Sequence, residues 1–301
     1  MLSTSDFEFF VVIARASTLA AAARELDVTA SAVTQRLQDL EKRVGVRLVD
    51  RSRRRLALTD EGELLATRGR GISDQIAELT EALHSRRGEV AGHLRVIAPL
   101  GFGRRYVAPV AAAFFETHAA VTLDLTLSDR LEWFADSSWD VAVHIGESRP
   151  SGLVARTLAK NSRLLVAAPS FLERFGCPGT PRALRDYRCI ALRENDEDVT
   201  MWRFMHRDGD VTRVRIEPTL ASNDGDAVRE WALNGFGLVV RSEWSVADDV
   251  RAGRLVHVLP EFALPSADVI AFVGPRKGRS ARTSRFVQAL RDALTPVPWG
   301  P

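Results

Sequence analysis

The chain has 301 residues, 46% of them hydrophobic and 27% charged, and a formal net charge of +2. The length calls for two or three domains, no apolar run is long enough to span a bilayer, and the net charge alone argues for no polyanionic partner. The two cysteines, Cys177 and Cys189, offer neither a metal-ligand pattern nor a disulfide framework, so a reducing cytoplasm is the expected compartment.

The opening stretch MLSTSDFEFFVVIARAS has no basic segment ahead of its apolar residues. Its Phe7, Phe10, Val11 and Ala14 fall at helical spacing, which predicts an amphipathic helix from about Ser5 to Ala16 and not a secretory signal. A second helix starts after Thr18, a suitable N-cap, with Leu19, Ala22, Ala23 and Leu26 at i, i+3, i+4 and i+7. After the turn Asp27-Val28, Thr29 caps a third helix that ends at Gly45. Its apolar stripe, Val33, Leu37, Leu40 and Val44, spans only about 60° at 100° per residue. Ser31, Gln35, Gln38 and Lys42 lie opposite, and Thr34 on the flank.

A solvated face would carry the same residues on an isolated helix. Here the short preceding helix and tight turn match a helix-turn-helix, whose second helix enters the major groove. Beyond Gly45, Arg47-Leu48-Val49 and Leu56-Ala57-Leu58 flank Arg51-Ser52-Arg53-Arg54-Arg55, a two-stranded wing with a basic tip suited to phosphates. Between Arg36 and Arg55 there are eight basic residues against three acidic ones.

The run FFVVIARASTLAAAARELDVTASAVTQRLQDLEKRVGVRLVDRSRRRLALTDEGELL resembles the N-terminus of LysR-type transcriptional regulators. The matching positions are Ala22-Ala23, Leu26, Ser31-Ala32-Val33-Thr34, Leu40-Glu41, Gly45, Leu48, Arg51 and Leu58-Thr59-Asp60-Glu61-Gly62. By that resemblance residues 30, 31, 34 and 35 face bases and Arg53 lies in the wing. With the cap and the basic tip, the candidate DNA-binding set is Thr29, Ala30, Ser31, Thr34, Gln35, Gln38, Arg51, Arg53, Arg54 and Arg55. Many members have Gln at the place of Ala30 and Arg at that of Gln35, so an operator preference does not transfer.

Thr59 caps a long helix predicted from about Asp60 to Arg87. Leu65, Ile72 and Leu79 repeat every seven residues, and Ile76 and Leu83 form the complementary row with Gly69 at its head. Such a seam on a polar helix predicts pairing with a second chain, with packing against the chain's own domain as the alternative. The resemblance implies the same homodimer and adds a homotetramer. Gly88 to Gly92 then serves as a hinge.

From Gly92 the pattern changes to alternating strands and helices. Leu94–Ala98 is followed by a turn through Pro99–Gly103 and a helix from about Arg104. Strands are predicted at Val121–Leu127, Asp140–Ile145, Arg163–Ala167, Cys189–Leu192, Leu238–Arg241 and Val269–Val273. Helices are predicted near Phe171–Phe175, Pro181–Asp186, Gly225–Leu233 and Ala281–Leu294, with a polar hairpin over about 200–216. This alternation implies open, mostly parallel sheets in two lobes, with a ligand cleft beyond the strand ends. The LysR resemblance continues through GHLRVIAPLGFGRRYVAPVAAAF, DVAVHIG, SNDGDAVREWALNGFGLVV and GRLVHVLPEF. It implies a periplasmic-binding-protein-like fold used as an effector sensor.

The expected organisation is therefore an all-α winged helix-turn-helix over 1–60, a dimerisation helix over 61–88 and an α/β two-lobed sensing domain over 89–301. Lobe I takes about 92–161 and 266–301, and lobe II about 162–265. The candidate effector set is Leu100, Gly101 and Phe102 at a helix start that favours an anion, Ser128, His144 and Ile145 at strand ends, Ser222 and Asn223 before a helix, and Arg241. Capping explains Ser222 and Asn223 equally well, core burial explains His144, an ion pair explains Arg241, and packing explains Trp202. Gly101-Phe102-Gly103 invites a dinucleotide reading, but the third glycine is replaced by Tyr106 and Asp129 lies too far on. The six histidines have no metal-ligand spacing, and no nucleophile elbow or P-loop occurs. The expected partners are double-stranded DNA, a small and anionic organic effector, a second copy of the chain and RNA polymerase, without a membrane, cofactor, metal or catalytic activity. The rival is a constitutive DNA-binding protein whose C-terminal domain only assembles oligomers.

Overall fold

The computed structural model describes residues 2–50, 56–85, 90–129, 139–146, 152–193, 199–206, 208–274 and 280–300. The chain forms two compact units, Met1–Gly88 and Glu89–Pro301. No helix among the described residues is long and apolar enough to cross a membrane.

The first unit contains α1 (Thr4–Arg15), α2 (Leu19–Glu25), α3 (Ala30–Val44), the paired strands β1 (Val49–Asp50) and β2 (Ala57–Leu58), and α4 (Asp60–Ser85). Thr18 and Thr29 cap α2 and α3 by accepting from the N–H of Ala21 and of Ala32, donors that a helix start leaves unpaired. Gly45 ends α3 at φ 76°, a left-handed conformation that costs glycine little. Phe9, Phe10, Ile13, Ala22, Val33, Leu37, Leu40 and Leu48 make one core beneath the three helices. Glu41 fastens the wing to α3, its Oε1 accepting from the N–H of Leu48 at 2.8 Å.

α4 divides its apolar seam. Leu65 and Ala66 pack against the helix-turn-helix core. Gly69, expected at the head of a seam row, instead touches α1: a Cβ there would come within 2.8 Å of Phe7 Cδ1. Further along, Ile72, Ile76 and Leu79 are 41%, 42% and 64% exposed. The burial of Leu83 lies outside the described residues.

The second unit holds two five-stranded sheets. The lobe I sheet has the order β4-β3-β5-β15-β6, from β3 (Gly92–Ala98), β4 (Val121–Leu127), β5 (Val141–Ile145), β6 (Val154–Ala159) and β15 (Val269–Val273). The lobe II sheet has the order β11-β8-β12-β7-β13, from β7 (Arg163–Ala167), β8 (Cys189–Leu192), β11 (Pro218–Ser222), β12 (Leu238–Ser242) and β13 (Val256–His257). A three-stranded sheet of β9 (Met201–His206), β10 (Val211–Arg215) and β14 (Phe262–Ala263) accompanies lobe II. Trp202 on β9 is buried with Phe171, Leu184 and Phe204, a packing role.

The sheets are less parallel than the alternation implies. β3 pairs in parallel with β4 and β5, but β15 runs antiparallel to β5 and β6. In lobe II, β8 is parallel to β11 and β12, whereas β7 is antiparallel to β12 and β13. The antiparallel strands are those at the crossings: β7 enters lobe II straight from lobe I, and β15 returns straight from lobe II. A parallel neighbour requires a full crossover within one lobe, which a short crossing does not supply.

The segment expected as a turn is already helical. α5 (Leu100–Phe102) follows Pro99 and continues through a π-helical turn, Gly103–Val107, into α6 (Ala108–Thr117). α7 (Pro169–Phe175), α8 (Gly225–Leu233), α9 (Glu243–Arg251) and α10 (Ala281–Ala293) complete the lobes. α9, absent from the sequence reading, has two apolar faces: Trp244 and Ala247 join the lobe I core, while Val246 and Val250 join lobe II.

Candidate functional site

On the first unit, α3 presents Thr29, Ala30, Ser31 and Gln35 as exposed residues, with Thr34 and Gln38 half-buried. Thr29 Oγ1 accepts from the Ala32 N–H at 3.2 Å and lies 3.0 Å from Ser31 Oγ, so the cap also positions the serine. Thr34 Oγ1 donates to the Ala30 carbonyl at 2.8 Å, which commits its hydroxyl proton to the helix. The Gln35 amide leans back on Asp39 at 3.3 Å. A side-chain amide so placed has a donor and an acceptor to give to a base edge once Asp39 releases it. Arg51, Arg53, Arg54 and Arg55, the expected wing contacts, lie outside the described residues.

Two nearby arginines are tied within the unit. Arg36 donates to the Ser5 carbonyl at 2.8 Å and lies 4.4 Å over the Phe9 ring. Arg43 binds Asp6 at 2.6 Å. Burial pushes the Asp6 carboxyl up, but bonds from Arg43 and from the Ser3 N–H and hydroxyl outweigh it and leave the group below its ordinary value. The excess of positive charge between 36 and 55 therefore includes two residues that hold α1 against α3.

On the second unit, a cleft runs between the lobes and encloses about 70 Å³. Of the candidate residues, Gly101, Phe102, Ser128, His144 and Ile145 reach it from lobe I and Arg241 from lobe II. Asp129, Arg163, Asp226 and Trp244 line it as well. Leu100 is not in the lining, and its N–H donates to Asp129 Oδ1 at 2.8 Å. The helix start thus already holds a carboxylate from its own chain. Ser222 and Asn223 are not in the lining: Ser222 Oγ accepts from the Asp224 N–H at 3.1 Å, and Asp224 caps α8.

The electrostatics of the cleft are mixed. Arg241 is 5% exposed and Arg163 contributes a second guanidinium. Burial, helped by Arg163, pushes the His144 imidazole down to about 4, so the ring is neutral at physiological pH and offers a hydrogen bond without a charge. Burial also raises the Asp129 carboxyl, and Asp224 adds to this while the Leu100 N–H, Arg241 and Arg104 oppose it. At the rim Arg104 pairs with Asp226 at 3.3 Å across the lobes, and Arg105 pairs with Asp248.

Gly101 and Gly103 have packing roles that the dinucleotide reading does not need. A Cβ on Gly103 would run into Leu127 and Ala98, and one on Gly101 would come within 3.2 Å of Trp244. Among the described residues no three His, Cys, Asp or Glu side chains group as a metal site. Trp244 had a weak sequence signal, lying just after a strand end, where such sheets open their clefts, whereas Arg163 opens a strand and had none.

Residues 4–63 match the family model described as bacterial regulatory helix-turn-helix protein, lysR family. Residues 87–295 match the model of the LysR substrate binding domain. The HTH-type transcriptional regulator DmlR of Escherichia coli K12 is 33% identical over 288 residues, covering 96% of this chain and 93% of that protein. The full-length structure of AphB from Vibrio cholerae, a member of the LTTR protein family, aligns at a TM-score of 0.64 with 20% identity over 96% of this chain and 98% of that one. Full-length LysG from Corynebacterium glutamicum, solved with bound effector Arg, aligns at 0.58 with 21% identity over 98% and 99%. These two structures share the winged helix-turn-helix and two-lobed architecture.

Proposed function

The chain belongs to the LysR family of transcriptional regulators, and from that premise we propose that a small organic anion bound in the interlobe cleft controls how a dimer of this protein engages its operator. The observation that carries the ligand class is the pair of guanidiniums, Arg163 and buried Arg241, beside a neutral imidazole. A buried arginine at a ligand cleft is suited to bidentate recognition of a carboxylate or phosphate. The enclosed volume is far below the roughly 300–1,000 Å³ of ordinary ligand pockets, so a ligand larger than a few atoms enters with the lobes further apart. Ligand binding then has differential affinity for the two lobe arrangements, which is what a conformational response requires. This reading assigns the chain no catalytic step.

The α3 face and the wing read DNA in this account. Ser31, Thr34 and Gln35 address base edges, with Thr29, Ala30 and Gln38 alongside, and Arg51, Arg53, Arg54 and Arg55 address phosphates or the minor groove. The exposed Ile72, Ile76 and Leu79 of α4 supply the dimer contact that sets two recognition helices on two half-sites.

The reading is tested in two parts. Calorimetry against a panel of organic anions is expected to find a ligand for the wild type that Arg241→Gln weakens at least tenfold; equal affinity in both removes Arg241 from the site. Arg53→Ala and Arg54→Ala are each expected to lower the log–log salt slope of DNA binding by about 0.9. Unchanged slopes in both variants count against the wing contact.

A further inference from the structure

Between the lobes the chain crosses twice, at 160–162 leaving lobe I and at 264–268 returning to it. Asn161 stands where the crossings meet, and it is 3% exposed. Its Nδ2 donates to the Ala267 carbonyl at 2.8 Å, its own carbonyl accepts from the Ala267 N–H at 3.1 Å, and its N–H faces Asp268 Oδ1 at 3.4 Å. Its Oδ1 accepts from the Trp244 N–H at 3.1 Å. One buried side chain on the first crossing therefore bonds both the second crossing and the first turn of α9.

The start of α9 depends on that arrangement. A helix leaves its first N–H groups unpaired, and the Ser242 side chain makes no capping bond. The Glu243 N–H instead donates to the Ser162 carbonyl at 2.8 Å, and the Trp244 N–H to Asn161. Both caps come from the first crossing, some eighty residues away. α9 is also the element shared by the two lobe cores, and its Trp244 ring walls the cleft, 5.3 Å edge-on to Phe102.

We propose that Asn161 is the positioning residue that sets the angle between the lobes, by pinning both crossings to the α9 start that carries the cleft wall. A hinge in such a domain must absorb its backbone change at a few residues, and bonds shared by both crossings limit that change. Loss of the Asn161 side chain frees the Ala267 carbonyl and the Trp244 N–H together. Asn161→Asp separates the two effects: it keeps an acceptor for Trp244 but puts an oxygen against the Ala267 carbonyl, beside the Asp268 carboxylate.

The test uses the full chain carrying Cys177→Ser, spin-labelled at Glu116→Cys in lobe I and Arg213→Cys in lobe II, diluted with unlabelled chain to suppress distances between copies. Asn161→Ala is expected to widen the interlobe distance distribution at least twofold and to speed exchange of the Trp244 amide at least tenfold. Asn161→Asp is expected to widen the distances similarly with Trp244 exchange within threefold of wild type. Should Asn161→Ala fail to fold, the Asn161→Asp distances decide the matter. A distribution superimposable on wild type in either folded variant overturns the proposal, as does equal Trp244 exchange in wild type and Asn161→Ala.

Discussion

Acid should act on His144 before it acts on most carboxylates. The imidazole falls from an ordinary 6.5 to about 4 in the fold, so its folded pKa lies below its unfolded one. The unfolded chain takes up this proton first, and stability present above pH 6.5 is lost as the pH falls toward 4, by about 3 kcal/mol in all. His144→Gln is expected to remove this part of the pH dependence, read as a flatter line of urea midpoints between pH 6.5 and 4; an unchanged slope contradicts the burial argument. Asp6 works at lower pH, because its folded pKa is also depressed and its contribution is present above the ordinary carboxylate value and lost below the folded one. Asp6→Asn should destabilise the first unit by about 1–3 kcal/mol at neutral pH, and by less as the pH falls through the depressed folded value, in paired denaturation curves. His144 and Arg241 were legible as strand-end residues because they close apolar runs. Asp129 and Trp244, each two residues past a strand end, carry the same but weaker signal; Arg163 was not legible, since it opens a strand just after an interlobe crossing that local periodicity does not encode.

α4 shows the same boundary at the scale of an element. Its heptad spacing is readable, but the sequence does not say that the first two turns serve the chain's own core while Ile72, Ile76 and Leu79 remain exposed. Gly69 marks the division, because only a residue without a side chain lets α1 lie so close. Gly69→Val should destabilise the first unit by roughly 1–3 kcal/mol through overpacking, measurable as a lowered thermal midpoint. Ile72→Asp with Leu79→Asp should leave that midpoint within a few degrees and shift sedimentation from dimer to monomer. A dimer that survives both substitutions places the pairing surface elsewhere. The short helices α2 and α3 were legible to within a residue because caps and Gly45 punctuate them. α9 was missed because both its faces are apolar, which hides a helical stripe, and its cap comes from Asn161 instead of Ser242.

For the whole molecule, the claim is that occupancy of one site is felt at the other, and this is a statement about coupling free energy. Such coupling is commonly about 1–3 kcal/mol, or some 5- to 150-fold in affinity, and it is reciprocal. The most direct measurement takes a DNA fragment recovered by genome-wide mapping of bound sites and titrates it with full-length protein by fluorescence anisotropy. Each titration is repeated with and without an organic anion shown by calorimetry to bind, for wild type and Arg241→Gln. The account predicts at least a fivefold change in DNA affinity for wild type with the anion, and none for Arg241→Gln. An anion that binds the wild-type cleft yet leaves DNA affinity and DNA bending unchanged contradicts it, and favours a protein that reads DNA constitutively.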